Sequence, residues 1–182
     1  MLRTMAILTS VFQMQTVRPA TEDDALVMPA IERSSGEAFR QIADLAWIAD
    51  DTVTSCERHT ALIRLGAAWV AQDSTGTITG FLTAEVHRDA LHIWQMSVAS
   101  DQQKKGIGRD LIHAAENWAR TNHLAALTLT TFRDVPWNER FYASCGFELV
   151  DPIDHPMLLA TLEAEGEAGL PISQRCAMRR PL

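Results

Sequence analysis

Between Ala67 and Ala99 the apolar, β-branched and aromatic residues crowd into three runs, "AAWVAQD", "TITGFLTAEVHRD" and "ALHIWQMSVAS". The short polar connections "DSTG" at 73–76 and "RDA" at 88–90 separate them, which predicts a meander of antiparallel strands. Upstream, "QTVRPA" reads as a short strand ended by Pro19, and Thr21 is placed to cap a helix over "EDDALVMPAIERSS" that Pro29 interrupts. Apolar residues at helical spacing continue through "EAFRQIADLAWIAD" and "SCERHTALIRLG", with Gly66 as a stop, so the first third is expected to be helical. Downstream, Ile107, Leu111, Ile112, Ala115, Trp118 and Ala119 form one stripe, while Arg109, Asp110, Glu116 and Arg120 lie elsewhere, the pattern of a helix packed on a sheet. Then follow a strand "ALTLTTF" at 126–132, a short helix "NERFYASCG", a strand "FELV", a helical "MLLATLEAEGEAG" and a closing strand in "SQRCAMRRP".

The order is that of an α/β (α+β) fold, a mixed and mostly antiparallel sheet of six to seven strands flanked by helices. With 182 residues, 47% of them hydrophobic, the chain is long enough for a full core. No linker or internal repeat divides it, so residues 15–182 read as one domain behind a loose tail at 1–14. That tail, "MLRTMAILTSVFQM", imitates a secretory signal only faintly. A formal net charge of -7 argues against a general nucleic-acid surface, and no apolar run reaches the ~20 residues of a membrane span. Cys56, Cys145 and Cys176 have no paired spacing, so neither disulfides nor a cysteine metal site is expected, and the compartment reads as cytoplasmic.

Against this acidic background the tightest basic cluster, "SDQQKKGIGRD", stands directly before the striped helix. The first amides of a helix lack internal partners and carry roughly half a positive charge, which favours an anion. Gly106 and Gly108 remove Cβ atoms where anion oxygens would approach, and Lys104, Lys105 and Arg109 add charge. A turn with solvated lysines would explain the glycines alone equally well. A dinucleotide fingerprint needs a third glycine where Leu111 stands, and Gly-Lys-Ser/Thr is absent.

Gln103-Lys104-Lys105-Gly106-Ile107-Gly108 resembles the Gln/Arg-x-x-Gly-x-Gly/Ala motif with which the GNAT superfamily of N-acetyltransferases cradles the pyrophosphate of acetyl-coenzyme A. "NERFYASCGF" at 138–147 is similar to that family's later Asn…Phe-Tyr-x-x-x-Gly-Phe segment. The resemblance implies a single-domain GNAT fold whose parallel strand pair splays apart at the cofactor slot, with acetyl-coenzyme A as cosubstrate and no metal. It implies that Met96, Ser97 and Val98 face the pantetheine, that Gln103 through Arg109 offer amides to the phosphates, and that Asn138 contacts the cofactor. It makes Tyr142 the donor to the leaving thiolate, a role suited to a phenol of pKa ~10. Some members carry a Glu on the strand before the cradle, and the resemblance puts His92 at that position, with Glu85 on the preceding strand and the strand carbonyl with water as the other candidate general bases; Trp94 and Gln95 stand where similar members have acidic residues. Plain strand alternation sets His92 on the same side as Trp94, Met96 and Val98, and a bulge in this strand would reset that register.

The acceptor implied is a small-molecule or peptide amine entering over the first helices. Trp47, Asp50 and Asp51 are candidates there, and Trp94 and Trp137 are candidate walls. Cys145 reads as a packing residue, so direct transfer in a ternary complex is expected. A non-catalytic acyl-coenzyme A-binding module is the alternative, and a nicotinamide-dependent enzyme a weaker third. A homodimer through the C-terminal strand stays open.

Overall fold

The structure, a computed structural model, describes residues 15–182; the tail expected at 1–14 lies outside the described residues. The elements are β1 (Thr16–Pro19), α1 (Met28–Gly36), α2 (Cys56–Arg64), β2 (Ala68–Gln72), β3 (Ile78–His87), β4 (Ala90–Val98) and α3 (Ile107–Thr121). They continue as β5 (Ala126–Phe132), α4 (Glu139–Ser144), β6 (Glu148–Val150), α5 (Pro156–Glu167) and β7 (Arg175–Pro181). Among these, no helix is long and apolar enough to cross a membrane.

The strands form one sheet in the order β1-β2-β3-β4-β5-β7-β6. The meander over β2–β4 is antiparallel, and β4–β5 is the parallel pair, joined through α3. The stripe of α3 explains that crossover: Leu111, Ile112, Ala115 and Ala119 are buried against Leu82, Leu91, Ile93 and Leu129. Each leucine or isoleucine among them contributes about 1.5–3 kcal/mol on removal from water. On the other face Met28, Ile31 and Ile63 of α1 and α2 cover Val70 and Phe81, while Leu158 and Leu162 of α5 cover Ala177. A furrow is left between these two helical covers, over β4 and β5.

In the first third, residues Glu22–Leu26, Glu37–Gln41 and Ala43–Asp50 form 3-10 turns rather than long α-helices. Pro29 sits in the first turn of α1, where its missing N–H costs nothing, so α1 starts there instead of continuing the upstream turn. That upstream turn is fastened by Asp24, whose carboxylate accepts from the Thr21 amide at 2.7 Å and from both Arg18 terminal nitrogens.

Two irregularities position the site. Ala84 pairs with Ile93 but Thr83 pairs with Gln95, so Trp94 is an extra residue in β4. The bulge resets the alternation: Met96 and Val98 pack with Ile93 on the α3 side, and His92 falls on the opposite face beside Thr128, so plain alternation does not hold along this strand. Second, β4 pairs with β5 only from Ala90↔Ala126 to Ile93↔Leu129, whereas β5 stays paired with β7 through Phe132↔Arg175. Beyond Ile93 the parallel strands part and leave the edge of β4 open.

Candidate functional site

The opening between β4 and β5 runs into a cavity of about 910 Å³, bounded by α1, the 3-10 turns, β4, the loop before α3, β5 and α4. Met96, Ser97, Val98, Gln103, Lys104, Gly106, Ile107, Gly108, Arg109, Asn138 and Tyr142 all line it. A contiguous loop and a strand edge thus converge with Asn138 and Tyr142 from well downstream.

The loop is held open by its own geometry. The Gln103 amide nitrogen Nε2 donates to the Val98 carbonyl at 3.2 Å, tying the loop to the end of β4. Lys104 and Gly106 have φ of 62° and 91°, left-handed values that turn the chain sharply before the helix. At Gly106 a Cβ would meet nothing within 4 Å, so the space in front of this residue is free. No amide from Gln103 to Gly108 donates to an acceptor among the described residues. Such a run of unpaired N–H groups at the start of α3, opening on a cavity, binds an anion well.

Two details differ from the loop as expected. The Arg109 amide donates to the Gly106 carbonyl at 2.9 Å, so it closes the first turn instead of facing the cavity. At Gly108 an added Cβ would lie 3.0 Å from Cζ of Phe141, so the missing side chain makes room for the ring of α4 while the amide stays unpaired. The Arg109 guanidinium also serves α4, donating to the Ser144 carbonyl at 2.9 Å and to Ser144 Oγ. Lys105 Nζ donates to Gln102 Oε1, and among the described residues Lys104, Lys105, Arg109 and Arg140 have no carboxylate partner. This mouth of the cavity is therefore positive in an acidic chain.

Asn138 precedes α4 without using its side chain as a cap, which leaves the amide available to the cavity. Tyr142 is wedged between Phe141 and Phe147, with ring centroids at 5.3 and 5.7 Å. Its hydroxyl has no hydrogen-bond partner among the described residues, and burial, followed by the nearby Cys145, raises its pKa above the ordinary tyrosine value. The phenol keeps its proton at neutral pH and has it free to donate. Cys145 is buried outside the cavity lining, and burial also raises its thiol pKa.

His92 and Glu85 stand apart from this constellation. Neither lines the cavity. His92 is buried with Nδ1 3.1 Å from Thr128 Oγ1, and desolvation together with His87 pushes its pKa down to about 3. Glu85 accepts from Trp94 Nε1 at 3.0 Å and lies 3.7 Å from His87 Nε2. The three rings of His87, His92 and Trp94 form a cluster that supports the bulge from behind, with His92 and Trp94 centroids 4.5 Å apart.

On the acceptor side Trp94, Trp137 and Asp51 line the cavity, while Trp47 is exposed outside it. Asp50 is held by Arg40 at 2.7 Å, and that guanidinium lowers its pKa. Sequence reasoning missed Glu32, Phe39, Phe132, Arg140, Glu165 and Arg175, all of which line the cavity. Arg140 lies inside the segment "NERFYASCG", and its basic charge there is the signal that could have found it. The others come from α1, a 3-10 turn, β5, α5 and β7, and nothing local marks them. Phe39 packs edge-on to Phe132 and Trp137 at 5.4 and 5.8 Å, and Glu165 is matched by Arg175 at 2.6 Å and by Thr130.

The fold is shared with known acetyltransferases. A PaiA N-acetyltransferase from Thermoplasma acidophilum, solved with coenzyme A, superposes with a TM-score of 0.68 at 15% identity, over 93% of this chain and 99% of that one. The ribosomal-protein-S18-alanine N-acetyltransferase from Escherichia coli does so at 0.65 and 15%, over 92% and 94%. An N-acetylglutamate synthase from Neisseria gonorrhoeae, complexed with coenzyme A and N-acetyl-glutamate, gives 0.66 and 15% over 93% of this chain and 35% of that one. The model of the Acetyltransferase (GNAT) family matches residues 35–147, a span that includes the meander, the loop, α3 and α4. The chain belongs to the acetyltransferase (GNAT) family.

Proposed function

We propose that the protein transfers an acetyl group from acetyl-coenzyme A directly to a primary amine of a small molecule or peptide, with both substrates bound at once. The observation that carries this reading is the run of unpaired amides from Gln103 to Gly108 at the point where β4 leaves β5. These amides, with Lys104 and Arg140 nearby, suit a diphosphate. The open edge of β4 at Met96–Val98 suits the amide groups of a pantetheine arm, and Asn138 contributes a side-chain amide. Two of the compared structures hold coenzyme A, which supports the same assignment.

The thioester supplies an activated acetyl group; the chain supplies position and a proton. The Tyr142 O–H donates a hydrogen bond to the sulfur as negative charge develops there. With a raised pKa the phenol is a weaker acid than a thiol of pKa ~8.5, so its contribution lies in that hydrogen bond and in a proton held ready, not in standing as phenolate. The amine must be neutral to attack. Because His92 and Glu85 do not face the cavity, its proton leaves through water held at the carbonyls of the opened β4 edge. Cys145 takes no covalent part.

The test is calorimetric titration with acetyl-coenzyme A followed by thiol release across an amine library. Binding with amine-dependent thiol release is expected. Tyr142→Phe should lower kcat by about 10²-fold while leaving acetyl-coenzyme A affinity nearly unchanged. Unaltered turnover in that variant, or binding without turnover of any amine, would favour a coenzyme A-binding module instead.

A further inference from the structure

Five cationic side chains line the cavity, and four of them, Arg33, Lys104, Arg109 and Arg140, are exposed to water. Arg175 is the fifth, and its side chain is only 9% exposed. It opens β7, paired with Phe132 at the end of β5. Groups from two elements fix its guanidinium. Nε donates to Glu165 Oε2 at 2.9 Å and Nη2 to Glu165 Oε1 at 2.6 Å, a two-pronged pair with α5. Nη2 also donates to Thr130 Oγ1 at 3.3 Å, and that hydroxyl donates to Glu165 Oε1 at 2.6 Å. Cζ lies 4.6 Å from the centroid of the Phe132 ring, so one face of the guanidinium is covered as well.

These contacts use the donors on Nε and Nη2 and leave both donors on Nη1 without an acceptor among the described residues. Nη1 is not sealed away from water either, so its N–H groups open on the cavity that Arg175 lines. What such a fork accepts follows from its charge balance. Glu165 already meets the charge of Arg175, so the free donors call for an oxygen lone pair; a ligand carboxylate would set two anions against one guanidinium. The approach to Nη1 is flat and apolar: Phe39 packs against Phe132 and Trp137, with centroids at 5.4 and 5.8 Å. The charge of Arg175 also reaches the Tyr142 hydroxyl, where it works against the rise in pKa that burial and Cys145 impose, as a guanidinium close to the point of transfer does.

Resting on the acetyl-transfer reading above, we propose that Nη1 of Arg175 reads an uncharged carbonyl oxygen on the acceptor, with Glu165 and Thr130 as the residues that position it. Arg175 thereby determines specificity: an acceptor without that oxygen covers the two N–H groups and leaves them unpaired, and a site built to hydrogen-bond a ligand group rejects the analogue that lacks it.

The experiment measures binding of phenylalaninamide, phenethylamine and phenylalanine by calorimetry at pH 6, where all three carry the same ammonium group and differ only in having an amide, nothing or a carboxylate beside it. Each is titrated into the free protein and into its coenzyme A complex. The wild type is expected to bind the amide at least about tenfold more tightly than phenethylamine and more tightly than phenylalanine. Arg175→Lys, which keeps a positive charge beside Glu165 but removes the fork, should abolish the preference for the amide over phenethylamine and leave coenzyme A affinity unchanged. Should Arg175→Lys melt early, the double variant Glu165→Gln with Arg175→Gln, which removes both charges together, takes its place with the same expectation. Equal affinity for the amide and phenethylamine in the wild type, no binding of the amide, or a preference that survives in these variants overturns the proposal, and tighter binding of phenylalanine than of its amide overturns it in favour of a carboxylate site. A protein that binds no coenzyme A overturns the acetyl-transfer reading instead, while the titrations on the free protein still decide the role of Arg175.

Discussion

At the scale of single residues, His92 links burial to acid sensitivity. In the folded protein desolvation and the neighbouring His87 hold its pKa down at about 3, against about 6.5 for an unfolded histidine. Above pH 6.5 neither state binds the proton and stability is complete. As pH falls from 6.5 toward 3 the unfolded chain takes up a proton that the folded one refuses, so stability is lost at up to ~1.4 kcal/mol per pH unit. Urea unfolding at pH 7 and pH 4.5 should therefore show a larger loss for the wild type than for His92→Leu, because carboxylate effects are common to both. Equal losses would mean that the buried ring is not the sensor. The same depression makes His92 a weak base, which agrees with its place behind the bulge rather than in the cavity. Replacing it should leave the pH profile of turnover unmoved.

At the scale of elements, the two loop glycines have different reasons and should fail differently. Gly106 sits at φ 91° with open space around a Cβ, so Gly106→Ala costs about 1–2 kcal/mol of backbone strain and should weaken acetyl-coenzyme A binding by distorting the amide run. Gly108→Ala gains about 1 kcal/mol in helix propensity but presses a methyl 3.0 Å from Phe141, so its melting temperature should change little while the displaced ring raises the KM for acetyl-coenzyme A. Thermal melts beside binding titrations separate the two. If Gly108→Ala binds normally, Phe141 yields without disturbing the slot. The contrast also marks what local pattern carries. The strands, α3 and α4 were legible because their apolar spacing and glycine stops are contiguous, and the anion loop because its chemistry lies within one short segment. The bulge at Trp94 has no glycine or proline to announce it; it is visible only as a mismatch between partners on β3 and β4. The 3-10 turns over Glu37–Asp50 carry helical apolar spacing, which does not distinguish them from α-helix, and Phe39 and Leu45 on them pack with Phe132 from β5. Glu32 reaches the cavity lined by Glu165 and Arg175 only after the chain has crossed the sheet, so no stretch of sequence groups the three.

For the molecule as a whole, the parted strands concentrate both a weakness and a remedy. From Trp94 onward β4 has a partner on one side only, and the loop amides beyond it have none, so this is where the sheet is least tied to itself. A ligand that bridges β4, the loop and α4 and binds only the folded state stabilises it by RT ln(1 + [L]/Kd), about 2.7 kcal/mol at a hundredfold excess over Kd. For a chain of this length each 1 kcal/mol moves the melting temperature by roughly 2–4 °C, so saturating acetyl-coenzyme A should raise it by roughly 5–10 °C. Much of the attraction at the mouth comes from Lys104, Lys105, Arg109 and Arg140, none matched by a carboxylate among the described residues, and charges exposed there are screened within about 8 Å at physiological salt. The shift should therefore shrink as salt rises, while the ligand-free melting temperature, set by the apolar layers against α3 and α1, moves far less. Dephospho-coenzyme A, with the diphosphate but one phosphate fewer, should retain most of the shift, and pantetheine, with no diphosphate, should lose most of it. If pantetheine alone gave the full effect, the strand edge and not the amide run before α3 would be the principal anchor.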